Sequence, residues 1–189
     1  MRLVLLWVAI VFIGGATING TLAHVAALLT DRGIPADTAA IVLSSSGIAI
    51  IVGRIAGGWL LDAYFAPYVG AVVFALPALG CALLASGAGG AAPIIAVLLC
   101  GAGLGVEIDM MGFFVSRYFG VRNFGAIYGT MFPAFAVGVG VGPALMGLDF
   151  DRTGSYELVL IGFAVLLLVA SAITSRMGPY AFPRAQRGA

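Results

Sequence analysis

The chain has 189 residues, of which 62% are apolar and only 9% are charged, and its mean hydropathy is +1.14. Soluble domains carry about 25% charged residues, so this chain has too little polar surface to cover a water-soluble globule. The net charge of +1 argues against a nucleic-acid partner, which would require a basic surface. Two isolated cysteines and one histidine give no pattern typical of a metal site or a disulfide framework. The composition therefore predicts an integral protein of the lipid bilayer without a cofactor.

Six segments are long and apolar enough to cross a bilayer as helices, which takes roughly 20 residues each. The longest apolar stretch, residues 63–106, contains a turn-like sequence at 86–93 and so divides into two spans. The first segment is too long for the apolar region of a signal peptide and is interpreted as a span. The predicted spans are 3–29, 38–61, 68–85, 94–116, 124–148 and 157–176. The sequence thus predicts an all-α, multi-pass membrane protein with one bundle of six helices.

The nine arginines are divided unequally between the two ends of the predicted bundle. Two of them, Arg32 and Arg152, lie in loops at one end. The other seven lie at the end that holds both termini: Arg2, Arg54, Arg117, Arg122, Arg176, Arg184 and Arg187. Cytoplasmic loops carry the excess of positive residues, so both termini are predicted to be cytoplasmic, with the bundle in the plasma (inner) membrane.

An offset of 89 residues brings similar residues of the two halves of the chain into register. The matched pairs are Val52 and Val141, Gly53 and Gly142, Gly58 and Gly147, and Asp62 and Asp151. The offset carries the second span onto the fifth, which runs in the opposite direction through the membrane. Two three-helix repeats of inverted topology are typical of secondary transporters.

Three motifs of the chain resemble those of the major facilitator superfamily of transporters. Residues 53–62 read Gly-Arg-Ile-Ala-Gly-Gly-Trp-Leu-Leu-Asp and are similar to the signature that this superfamily carries after the second helix of each half. Residues 138–147 are similar to its Gly-Pro helix motif, with Gly138, Gly142, Pro143 and Gly147 as the helix-packing residues. Tyr118-Phe119-Gly120 followed by Tyr128-Gly129 resembles a loop of the monocarboxylate and oxalate/formate branch.

The resemblance implies the C-terminal six-helix half of a twelve-helix transporter. It assigns Gly58, Asp62 and Arg54 to the gating motif, although Ala63 stands where the superfamily usually has a basic residue. It also implies that Arg54 binds a substrate carboxylate, while the alternative is that Arg54 is a structural partner of Asp62 or Glu107. The second basic residue of the oxalate carriers has no counterpart in residues 123–148, which favours a singly charged or neutral solute.

Polar residues inside the predicted spans are the other candidates for a site, because intramembrane ionisable groups are costly and usually functional. Glu107 lies near the bilayer centre and, with Arg54 and Asn19, is predicted to form the polar wall of a substrate cavity. Glu107, Asp109 and His24 are candidates for proton coupling. Glu107 and Asp109 are two residues apart and therefore point about 200° apart on a helix, so they cannot face one cavity together.

These features favour a secondary active transporter of a small organic solute, a monocarboxylate-like anion by the resemblance, with a proton as the candidate coupling ion. An intramembrane serine protease is excluded because Ser44-Ser45-Ser46-Gly47 lacks the leading glycine and His24 precedes the serines. A channel is disfavoured because no short re-entrant segment is present. A non-transporting remnant or scaffold stays an alternative, since six helices supply only one wall of an alternating-access site. The predicted partner is an N-terminal six-helix half or a second copy of the chain.

The arginine distribution leads to a direct test of topology. Reporter fusions after Arg32 and Arg152 should be active outside the cytoplasm, and fusions after Arg122 and Ala189 should be active inside it. The measurement is paired alkaline phosphatase and green fluorescent protein activity in whole cells. One fusion on the wrong side is enough to contradict the predicted topology.

Overall fold

A computed structural model of the protein describes residues 2–182 and contains six long α-helices. The helices are α1 (Arg2–Asp31), α2 (Ala36–Ala63), α3 (Ala66–Ala85), α4 (Ala92–Phe119), α5 (Phe124–Thr153) and α6 (Glu157–Ser175). All six are long and apolar enough to cross a membrane. The described part of the chain holds no strand, which confirms the predicted all-α fold. Arg184, Arg187 and the side chain of Arg2, which count towards the arginine distribution, lie outside the described residues.

Short connections with proline and glycine join the helices. Proline stands in the first turn of α3 and of α4, where its missing N–H costs no helical hydrogen bond. Gly154 ends α5 with a positive φ of 68°, and its N–H donates to the carbonyl oxygen of Phe150 over 2.8 Å. Gly120 separates α4 from a 3₁₀ turn at Val121–Asn123 with a φ of 78°, a conformation that side chains disfavour. Each connection is short enough to keep successive helices antiparallel.

The packing of the helices follows the internal repeat. Adding 89 to the bounds of α1, α2 and α3 gives 91–120, 125–152 and 155–174, which fall within two residues of α4, α5 and α6. Helix α1 packs mainly on α5, α2 on α4, and α3 on α6. Under the offset of 89 residues the α1–α5 pair corresponds to the α4–α2 pair, and the α3–α6 pair corresponds to itself. The structure therefore has the two inverted three-helix repeats that the sequence predicts.

Glycines make the α1–α5 and α2–α4 pairs close. A methyl group on Gly53 of α2 would lie 2.5 Å from the carbonyl oxygen of Ala102 in α4. Its repeat counterpart, Gly142 of α5, faces the carbonyl oxygen of Ala16 in α1 even more closely. Small residues let helix backbones approach in lipid, where van der Waals packing replaces the hydrophobic effect as the driving force. The matched glycines thus have equivalent roles in the two repeats.

The other residues of the Gly-Pro motif differ in how closely they pack. Gly138 faces the backbone of α1, with the carbonyl oxygen of Phe12 at 2.5 Å from a built methyl group. Pro143 lies inside α5, and Gly147 is only loosely packed, 4.0 Å from Cε1 of His24 by the same measure. Close contact between α5 and α1 therefore depends on Gly138 and Gly142.

The variant Gly142→Ala tests the close contact between α1 and α5. The added methyl group would overlap the Ala16 carbonyl group, and such overpacking typically costs about 1–3 kcal/mol of folding free energy. Gly140→Ala is the matched control, since nothing lies within 4 Å of a methyl group there. Because alanine favours helices over glycine by about 1 kcal/mol, the control should be neutral or stabilising. Thermal unfolding of the two purified variants in detergent makes the comparison, and equal midpoints would contradict the contact.

Candidate functional site

Arg54 of α2 and Asp109 of α4 form a two-pronged ion pair. Nη2 of Arg54 donates to Oδ1 of Asp109 over 2.9 Å, and Nε lies 2.9 Å from Oδ2. The side chains are 60% and 32% exposed, so the pair lies on an open face of the bundle. This bidentate geometry is the one that a planar guanidinium forms with a carboxylate. The pair joins α2 and α4 at the surface of the described helices.

Glycine packing brings the two charged residues together. Gly105 of α4 abuts the backbone of α2 at the carbonyl group of Ile50, and a methyl group there would lie 3.0 Å from the backbone nitrogen of Arg54. Asp109 follows Gly105 by one helical turn and so lies on the same side of α4. The sequence suggested Asp62 or Glu107 as structural partners of Arg54, and the structure assigns this role to Asp109. Glu107 is not the partner, because it points to another side of α4.

Glu107 is buried between α1 and α4 and is only 1% exposed. Its carboxyl group lies against the backbone of α1 at Gly14, where a methyl group would overlap Oε1. Neither carboxyl oxygen has a hydrogen-bond partner among the described residues. An ionised carboxylate in such a place needs a partner or a proton, since burying an unpaired charge is very costly. Glu107 and Asp109 thus occupy two separate environments, as their spacing of two residues indicates.

The remaining predicted site residues lie apart from these two. Asn19 is half-buried on α1, and its Nδ2 donates to the carbonyl oxygen of Gly15 over 2.9 Å. The ring of His24 lies 5.6 Å from that of Tyr156, near the end of α1. Nothing lies within 4 Å of a methyl group placed on Gly58, and Asp62 lies in the last turn of α2. The structure does not bring Arg54, Glu107 and Asn19 into one contact cluster, and their roles in substrate binding stay predictions.

Tyr156, outside the membrane-spanning helices, packs the His24 end of the bundle. Its ring also stacks on Phe150 with centroids 4.7 Å apart. Burial, with smaller contributions from the carboxylates of Asp31 and Asp151, raises the pKa of Tyr156 above its ordinary value. The tyrosine therefore stays neutral near His24, and the two rings form an apolar contact.

Two further residues line the seam that holds Glu107 and were missed from the sequence. Trp7 of α1 is fully buried, and its ring centroid lies 4.2 Å from that of Phe114 in α4. Its Nε1 has no hydrogen-bond partner among the described residues. Gly14 follows Trp7 by seven residues, and Glu107 precedes Phe114 by the same number. This shared spacing was the available signal, but it becomes visible only once α1 and α4 are known to be antiparallel neighbours.

A stripe of stacked rings on α5 was also missed. Phe124 and Tyr128 stack with centroids 5.3 Å apart, and Phe132 continues the stripe 6.1 Å beyond Tyr128. A methyl group on Gly112 of α4 would lie 3.8 Å from Phe124 and 3.9 Å from Tyr128. Gly112 follows Asp109 by one turn, so the stripe begins near the ion pair. The spacing of four residues between the rings is the signal that the sequence offered.

Two curated transporters are similar to this chain in sequence. The L-fucose-proton symporter of Escherichia coli is 30% identical over 145 residues, which cover 73% of this chain and 32% of that protein. The riboflavin transporter RibJ of Trypanosoma brucei brucei is 28% identical over 144 residues, which cover 74% of this chain and 26% of that protein. The chain thus spans between about a quarter and a third of the length of these relatives. Both relatives are transporters and neither is an enzyme.

Solved transporter structures share the fold of this chain, while no family model matches the sequence. A crystal structure of the E. coli fucose:proton symporter FucP superposes with a TM-score of 0.73 at 21% identity, covering 94% of this chain and 44% of that one. A second crystal structure, of the major facilitator superfamily transporter FucP in the outward conformation, gives a TM-score of 0.64 at 23% identity. It covers 91% of this chain and 43% of that one. The similarities support the major facilitator superfamily, and the chain has the fold of one six-helix half of such a transporter.

Proposed function

We propose that the chain is the C-terminal half of a secondary active transporter that moves a small organic solute by alternating access. The observation that carries the proposal is the buried, unpartnered carboxyl group of Glu107 between α1 and α4. A structural role alone would be served better by an apolar residue, because a buried polar group without a partner destabilises the fold. A group that takes up and releases a proton explains why an acid occupies this position.

Glu107 is the strongest of the three candidates for proton coupling. Asp109 is already neutralised by a bidentate contact with Arg54. His24 lies at the end of α1 against Tyr156, away from the middle of the membrane. Glu107 alone combines a central position with an environment in which its charge has no partner. One similar protein is named a proton symporter, which agrees with a proton as the coupling ion.

The solute is a singly charged or neutral organic molecule, and Arg54 is the residue that selects it. The resemblance to the monocarboxylate and oxalate/formate branch favours a monocarboxylate. Such a solute would have to replace Asp109 as the partner of the Arg54 guanidinium group. The observed bidentate pair favours a second class, a neutral molecule with hydroxyl groups, because a closed ion pair offers both donors and acceptors without a net charge. The similar proteins are named for fucose and riboflavin, which both fit the second class. Competition by carboxylates and by sugars for uptake distinguishes the two classes.

A second six-helix half completes the proposed transporter. The chain covers 44% of the symporter structure, so one of the two halves that enclose a central site is accounted for. Helices α2 and α5 are the least buried of the six and carry exposed apolar residues such as Ile55 and Val137. These faces fit an N-terminal half or a second copy of this chain. The termini are proposed to be cytoplasmic, in the plasma (inner) membrane.

The need for a second half is tested by reconstitution. We expect the purified monomeric chain in liposomes to show no saturable solute uptake, because one half supplies only one wall of the site. Uptake should appear when the complementary half is present in the same membrane. Saturable uptake by the monomer would contradict the assignment as a half. Absence of uptake in every combination, with all chains folded, would instead favour the scaffold alternative.

The roles of Glu107 and Arg54 are separated by two variants in cells that express the assembled transporter. Glu107→Gln should abolish proton-driven accumulation but leave solute exchange measurable, because exchange moves no net proton. Arg54→Ala should raise the KM for uptake by about tenfold or more, the effect of losing a charge-assisted hydrogen bond. Glu157→Gln and Arg152→Ala are the matched controls, since both residues are exposed at the facing ends of α5 and α6.

Uptake per folded molecule decides the outcome of these substitutions. If Glu107→Gln and Arg54→Ala lower only the folded yield, the two residues are structural and the proposed site is wrong. If Glu107→Gln retains accumulation down a proton gradient, another residue carries the proton.

A further inference from the structure

Two orphaned polar groups share one buried seam of the molecule. The described residues contain three buried side-chain atoms without a hydrogen-bond partner, namely Nε1 of Trp7 and both carboxyl oxygens of Glu107. Trp7 contacts Phe114, and Gly14 contacts Glu107, so α1 and α4 run antiparallel in fixed register along this seam. Seven residues separate the two levels on each helix, which corresponds to about 10 Å along the helix axis. The orphaned donor and the orphaned acceptors therefore lie in line, too far apart for a direct hydrogen bond.

Water is a ligand whose chemistry would satisfy both groups. Buried polar groups are almost always hydrogen-bonded, and those without a protein partner usually bind an ordered water molecule. The indole N–H donates to a water oxygen, and a carboxyl oxygen accepts from a water hydrogen. Two or three water molecules would bridge a gap of about 10 Å, since hydrogen-bonded oxygens lie about 2.8 Å apart. The chemistry at the two ends of the seam is thus complementary to a short file of water.

A cavity lies between α1 and α6, near the end of α1 that holds Trp7. It has a volume of about 540 Å³ and is lined by residues of α1 and α6 that include Leu3, Leu6, Ala172 and Arg176. Leu3 precedes Trp7 by one helical turn and so lies on the same side of α1. A water molecule occupies roughly 30 Å³, so this cavity has room for many. It opens at the end of the bundle where α1 begins and α6 ends.

We propose that a file of water along the α1–α4 seam connects this cavity with Glu107 and conducts the proton of the transport cycle. The inference rests on the proposed function of Glu107 and adds a route that is separate from the open face with Arg54. One proton enters from a hydronium ion in the cavity, hops between water molecules and forms an O–H bond on Glu107. The carboxyl group changes from a charge of −1 to neutral, and the reverse step releases the proton. Trp7 is a positioning residue, since an indole N–H holds a water molecule but transfers no proton.

The charged and titratable groups around the seam show which residue could take up a proton there. On α1, Gly14 contacts Glu107, and the hydroxyl group of Thr17, one turn further along the helix, donates to the carbonyl oxygen of Ile13 over 2.8 Å. On α4, Asp109 points away and is paired with Arg54. Arg176 lines the cavity at the mouth. Tyr118 of α4 stacks on Phe114, and its hydroxyl group donates to the carbonyl oxygen of Gly178 over 2.7 Å. Among the described residues of these contacts, Glu107 is thus the acid without a hydrogen-bond partner.

The first experiment tests for water in the seam of this chain by nuclear magnetic resonance in nanodiscs. The chain has two tryptophans, Trp7 and Trp59, so indole ¹⁵N labelling gives two signals, and Trp59→Phe assigns them. We expect the Trp7 N–H to exchange with water within seconds, although the side chain is 0% exposed. Ala172→Leu fills the cavity and so closes the proposed entrance for water. It should slow this exchange at least about tenfold, the usual effect of one lost hydrogen bond. Ala82→Leu is the matched control, since Ala82 lines a separate groove beside α6.

A Trp7 N–H that fails to exchange over hours means that the seam is dry, and this result would overturn the proposal whatever the transport activity. Equal rates in Ala172→Leu and Ala82→Leu would also overturn it, because the cavity would then not be the entrance. Rapid exchange together with a chain that never supports proton-coupled uptake overturns the proposed function but leaves the water file in place.

The second experiment tests conduction in the assembled transporter. Trp7→Phe keeps a ring on Phe114 but removes the N–H group, so proton-coupled uptake should fall about tenfold, the usual effect of one lost hydrogen bond. Solute exchange, which moves no net proton, should change less than about twofold. An equal loss of both activities per folded molecule indicates a packing role and overturns the proposal. Full retention of proton-coupled uptake overturns it as well.

Discussion

Direct contact between helix backbones at glycine is the constraint on which the rest of this structure depends. Lipid offers no hydrophobic driving force between helices, so association relies on close packing and on small residues. Gly53 and Gly142 hold α2 on α4 and α5 on α1, at positions that the internal repeat relates. Gly105 and Gly14 also lie in close contacts between helices, and each of them accommodates an ionisable side chain. The first aligns Arg54 with Asp109, and the second leaves room for the carboxyl group of Glu107.

Most of the fold could be predicted from the sequence because hydropathy in a bilayer is a one-dimensional signal. The number of helices, the all-α class and the inverted repeat are confirmed, and the helix bounds enclose the predicted spans apart from Arg176, one residue beyond α6. The structures of FucP share the fold of this chain, and the 30% identical L-fucose-proton symporter supports the resemblance to the major facilitator superfamily. In an inverted repeat, corresponding residues such as Gly53 and Gly142 meet equivalent packing constraints. The repeat can therefore be recognised in the sequence.

The candidate site was harder to predict because helix rotation and register are three-dimensional properties. Spacing alone showed that Glu107 and Asp109 face different ways, but not which one faces α1 and which faces α2. The partner of Arg54 was missed for this reason, since Asp109 reaches it through the contact of Gly105 with α2. Trp7 and Gly14 gave no polar or motif signal, and they matter only through their neighbours in α4. The structure thus separates an exposed ion pair, Arg54 with Asp109, from a buried acid, Glu107.

Infrared spectroscopy of Glu107 tests the central claim, namely that this buried acid exchanges a proton with solvent. The chain contains two glutamates, so ¹³C-glutamate labelling of the variant Glu157→Gln leaves the Glu107 carboxyl group as the one labelled acid. The account predicts that its carbonyl band converts reversibly into carboxylate bands within minutes as the pH of the nanodisc sample is changed. A labelled band that stays the same over the whole pH range in which the protein is folded would contradict it.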